Sequence, residues 1–68
     1  MEFTIDIEQE TDGRWLAEVG TLPGVIAYGP TPDLARSHAQ ALALRVLAER
    51  LEHAEAHAES LTIVFRAA

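Results

Sequence analysis

Alternation opens the chain: in Glu2-Phe3-Thr4-Ile5-Asp6-Ile7-Glu8 the apolar residues Phe3, Ile5 and Ile7 fall on one parity and Glu2, Thr4, Asp6 and Glu8 on the other. Period two over this length predicts a strand with one buried face. Asp12-Gly13 follows, a pair that tolerates the backbone of a tight turn, and Arg14 to Val19 alternates again with Trp15, Ala17 and Val19 in register. The two runs predict a hairpin. Leu22-Pro23-Gly24 is a second turn signal, Val25-Ile26-Ala27-Tyr28 a third strand, and Gly29-Pro30 its break.

Thr31-Pro32-Asp33 then supplies a hydroxyl N-cap, a proline at the first helical position and an acid at the positive end of the helix dipole, so a helix is expected to begin at Pro32. From Leu34 to Leu51 there is no Gly or Pro, and good helix formers dominate. Ala35, Ala39, Leu42 and Val46 form one stripe, and Ala43, Leu44, Leu47 and Leu51 widen it beyond what a single sheet contact needs. Leu44, Leu47 and Leu51 either wrap over the sheet edge or meet a second subunit. Large apolar residues vanish over 52–59, which leaves the helix end open. A last strand follows, with Leu61, Ile63 and Phe65 on one face and Thr62, Val64 and Arg66 on the other.

The order βββαβ places a long crossover helix between the third and last strands, which suits a parallel neighbour. The expected fold is α+β: a mixed four-stranded sheet of order 3-2-1-4, one helix on one face, one domain over residues 1–68. Its other face carries Glu2, Thr4, Asp6, Glu8, Leu16 and Glu18.

Composition sharpens this picture. Of 68 residues 49% are apolar, but twelve of those are Ala, and there is no Cys to staple the chain or bind metal as thiolate. So small a core points to a homo-oligomer, with Leu44, Leu47 and Leu51 as the self-association residues. The net charge is -6, with eleven acids against five arginines that form no basic run. That balance argues against direct nucleic-acid binding and for a basic protein partner. The chain opens Met1-Glu2-Phe3-Thr4, unlike a signal peptide, and no apolar run is long enough to span a membrane, so a cytoplasmic protein is expected.

Catalytic patterns are sparse. Ser37 and Ser60 sit in no glycine elbow, and the glycines at 13, 20, 24 and 29 are spaced for turns and not for cradling phosphate. Glu49, His53 and His57 would share a helical face, the candidate metal-ligating set, but the spacing is not His-Glu-x-x-His and a solvated helical end explains it. Glu2, Asp6 and Glu8 share an open face and not a water-excluding cleft, so they read as a solvated surface. Trp15 reads as core, and Tyr28 as core or edge packing.

Asp12-Gly13-Arg14-Trp15-Leu16-Ala17-Glu18-Val19, then Leu22-Pro23-Gly24-Val25, then Gly29-Pro30-Thr31-Pro32-Asp33-Leu34-Ala35 resembles the N-terminal domain of the HicB antitoxin family. The likeness runs from about Phe3 to Leu51. Gly20 stands where the family commonly has Pro, and Leu34 where it has an acid. The resemblance implies a truncated ribonuclease H-like fold without that enzyme's metal site, and a non-enzymatic module, without cofactor, that neutralises a small basic ribonuclease toxin of the HicA type. The family's DNA-binding domain is not expected here. Glu2, Asp6, Glu8 and Glu18 are the expected partner-binding residues. The competing readings are a metal-dependent nuclease using the first-strand carboxylates and a structural adaptor for an unrelated protein.

Overall fold

Each run of alternation becomes a strand in the computed structural model, which describes residues 1–53 and 61–68. Strand β1 is Glu2–Gln9, β2 Trp15–Glu18, β3 Ile26–Gly29 and β4 Val64–Ala67, and the helix α1 is Pro32–Glu52. The sheet order is β3-β2-β1-β4, antiparallel between β1 and β2 and between β2 and β3, and parallel between β1 and β4. The expected α+β architecture and strand order therefore hold.

The two turns use glycine where a side chain would be strained: Gly13 has φ 92° and Gly24 φ 81°. At the helix start, the Thr31 side chain accepts a hydrogen bond from the Leu34 N–H at 3.1 Å, and Pro32 occupies the first helical position as expected. At the other end His53 caps α1, its N–H reaching the Glu49 and Leu51 carbonyls.

The core lies between α1 and one sheet face. Phe3 and Ile5 from β1, Ala17 from β2, and Val19, Leu22 and Val25 from the connecting segment meet Ala35, Ala39 and Ala43 of the helix. Those three alanines, at i, i+4 and i+8, are fully buried, so small side chains set how closely the helix approaches. Among the described residues, Ile5, Val19, Val25 and Leu22 are the large side chains with no appreciable exposure, which makes this a thin core. Leu42, Val46 and Leu47 pack on its margin half-buried, as do Ile63 and Phe65. Phe65 lies beside Phe3 with ring centroids 5.8 Å apart.

Two expectations shift. The third strand runs one residue later than the pattern implied, because Gly29 continues the pairing opposite Trp15 instead of breaking it. Leu61 does not join Ile63 and Phe65 on the core: it precedes β4 and is 44% exposed.

Candidate functional site

Strand parity leaves the sheet face opposite α1 uncovered. On β1 it carries Glu2, Thr4, Asp6 and Glu8, all exposed. Register extends this into rows: Asp6 lies beside Glu18 and Glu18 beside Ile26, while Glu8 lies beside Leu16 and Leu16 beside Tyr28. Glu2 neighbours Val64, and Thr4 neighbours Arg66.

The four expected partner-binding acids thus share one face, but they are not equivalent. Glu2 forms an ion pair with Arg66. Among the described residues Asp6, Glu8 and Glu18 have no such partner, and Asp6 faces Glu18 directly across the β1–β2 ladder. Like charges at directly opposed positions are unfavourable in a sheet.

Beside these acids runs an apolar strip on the edge strand β3. Tyr28, read as core or edge packing, is 43% exposed on the open face, and Ile26 is 44% exposed next to it. The parity of Val25-Ile26-Ala27-Tyr28, with Val25 buried, was the signal for both. Arg14 lies over the Tyr28 ring, its guanidinium carbon 4.6 Å from the centroid, and Asp12 holds Arg14 in turn through a 2.8 Å contact to Nε. The Arg14 backbone N–H donated to Asp12 is the chief reason that the Asp12 carboxyl is held below its ordinary value of 3.8. Aromatic and aliphatic centre with charged margin is the composition of protein-binding surfaces.

The helix side bears a second apolar patch. Met1, Leu44, Leu47, Leu51, Leu61 and Ile63 line a cleft of about 290 Å³ between α1 and the start of β4. Leu44 is 46% exposed, whereas Leu47 and Leu51 are half-buried. The three leucines therefore divide: Leu47 packs on the margin of the core and Leu44 projects into solvent.

Neither carboxylates nor histidines assemble into a metal-binding group among the described residues. Glu49 and His53 approach to 3.9 Å on the helix surface, and His57, the third of the expected set, lies outside the described residues. Among the described residues, no helix is long and apolar enough to cross a membrane.

No protein-family model, curated protein or solved structure matches the chain.

Proposed function

We propose that this chain is an interaction module of the HicB antitoxin type, whose open sheet face binds and masks a small basic ribonuclease of the HicA type. The observation that carries the reading is the directly opposed Asp6 and Glu18, without a cation, beside the exposed Ile26 and Tyr28. A basic partner relieves the repulsion and buries the apolar strip in one step. Net charge -6 extends the attraction over a Debye length and speeds encounter. Glu2 and Glu8 are exposed, and the cleft that Asp6 borders is open to solvent, unlike the water-excluding site that catalysis requires, which favours binding over the nuclease alternative.

In the same reading the chain self-associates through the patch of Leu44, Leu47 and Leu51. The patch lies on the helix side of the molecule and leaves the opposite face free for the partner.

The test is inhibition of ribonuclease. A HicA-type toxin cleaving RNA in vitro should be silenced by equimolar wild-type protein, and a variant carrying Asp6→Lys and Glu18→Lys should fail to silence it. Undiminished cleavage with wild-type protein in excess would remove this function.

A further inference from the structure

Strand β1 is twice as long as the strand beside it. It spans Glu2–Gln9, but β4 pairs only with Glu2–Ile5. The amides of Val64 and Ala68 donate to the carbonyls of Met1 and Ile5. Backbone groups of alternate residues point to the same side of a strand. Ile7 and Gln9 therefore direct their N–H and C=O toward that same edge, beyond the end of β4, where no strand among the described residues meets them.

The opposite edge of the sheet is managed differently. There, Nδ1 of His38 lies 2.9 Å from the Tyr28 carbonyl, and the helix packs against Gly29. Natural sheets cover or charge their edges because open ones recruit further strands. Among the described residues, β1 beyond Ile5 has no such cover.

A cleft of about 360 Å³ lies at this opening, walled by Ile7, Trp15, Pro32, Arg36, Ala67 and Ala68. Its volume is in the range of ligand-binding clefts, roughly 300–1,000 Å³. One wall carries Arg36, whose guanidinium makes, among the described residues, only a long 3.4 Å contact from NH1 to Asp33. A carbonyl or carboxylate entering the cleft would accept a hydrogen bond from it.

We propose that the Ile7–Gln9 edge of β1 receives an extended segment of a basic protein partner, which adds as a strand in the line of β4 and accepts a hydrogen bond from Arg36. Backbone pairing supplies affinity in this mode and alternate side chains supply specificity. On the open face the incoming side chains would neighbour Asp6 and Glu8, so lysine or arginine fits at every second position. On the helix side they would enter the cleft beside Trp15 and Arg36, where a small or hydroxylated residue fits. A second copy of the chain is disfavoured as occupant, because its own β1 would bring Asp6 and Glu8 against Asp6 and Glu8. The inference rests on the basic-partner reading and adds where and in what conformation that partner is held.

Amide hydrogen exchange with a synthetic probe tests it. The probe is an acetylated, amidated hexapeptide alternating lysine with threonine or valine. Binding is expected to slow exchange at the Ile7 and Gln9 amides about tenfold or more, as an added ladder does. The same peptide N-methylated at alternate residues keeps its charges but cannot pair, and should lose this protection, as should a peptide with glutamate in place of lysine. Arg36→Gln should weaken the probe about tenfold, the worth of one charge-assisted hydrogen bond. Binding of the N-methylated peptide as tight as the parent's, or a bound probe that leaves Ile7 and Gln9 unprotected, overturns the proposal. So does protection that grows with protein concentration alone, which assigns the edge to a second copy. A toxin neutralised with no change at Ile7 or Gln9 overturns the edge and leaves the antitoxin reading standing. Edge protection by the probe without toxin neutralisation does the reverse.

Discussion

A methyl group on Gly29 would lie 2.6 Å from the backbone nitrogen of Ala35 and 3.0 Å from the carbonyl carbon of Leu34. The contact is backbone against backbone at the point where α1 crosses β3, so nothing flexible can yield. Gly29→Ala must push the first turns of the helix off the sheet, loosening the packing of Ala35 and then Ala39. The expected cost is about 1–3 kcal/mol, the range for overpacked sites. In so small a chain that lowers Tm by several degrees for each kcal/mol, which a thermal melt followed by circular dichroism would register. An unchanged melt would mean that the helix does not sit this close.

The N-cap offers a second, gentler perturbation of the same helix. Thr31→Ala removes the side-chain acceptor of the Leu34 amide and should cost ~1 kcal/mol. Thr31→Ser keeps the hydroxyl and should recover most of that loss in a urea titration.

Relief of the Asp6–Glu18 opposition should separate stability from binding. Glu18→Gln is expected to raise the stability of the isolated protein by a few tenths of a kcal/mol, about the size of one cross-strand charge pair. It should at the same time weaken capture of a basic partner and flatten the salt dependence of the association rate. Stopped-flow association at two ionic strengths, beside a melt, reads both. A variant that loses stability and binding together would show that Glu18 serves the fold.

Self-association is tested most cleanly at Leu44, because it touches the core least. Leu44→Lys should leave the stability of the monomer within about 0.5 kcal/mol, as for most exposed positions, while shifting sedimentation toward the single chain. Loss of folding alongside dissociation would instead make the oligomer obligatory.

Asp12 gives a pH signature. Its folded carboxyl is held below 3.8, first by the Arg14 backbone N–H and also by the Arg14 guanidinium. A carboxyl with a depressed folded pKa contributes stability that is present above its unfolded value and is lost as pH falls through the folded one. Wild-type protein should therefore be the more stable at neutral pH when compared with Asp12→Asn, and the two denaturation midpoints should converge below about pH 3.8. The site is exposed to solvent, so the gap is small. A gap that persisted at pH 2 would exclude the charge as its origin.

Much of this architecture follows from parity. Phe3 and Ile5 bury with Ala17 and Val19 because every second position of two adjacent strands shares a face, and Thr31-Pro32 marks the helix start through local chemistry alone. The sheet order came from the length of the crossover. What parity could not show depends on register between distant segments. The Glu2–Arg66 ion pair exists only because β1 and β4 align Thr4 with Arg66, a match invisible to a local pattern, and it takes Glu2 out of the free acidic set. Gly29 read as a strand break because nothing local reveals that a helix will lie against it. The outward position of Tyr28 follows from the parity of its own strand, with Val25 buried and Ile26 and Tyr28 exposed.

The pairing of β1 with β4 also sets a timetable for synthesis. Glu2 and Arg66 are 64 positions apart, so the Glu2–Ile5 part of β1 waits for β4 before its flank is covered. At roughly 5–20 residues per second the wait lasts several seconds. During it the nascent chain exposes an incomplete sheet, in which Asp6 and Glu8 are the residues that discourage wrong pairing with neighbouring chains. Replacing both with apolar residues is expected to show its first effect as loss of soluble yield.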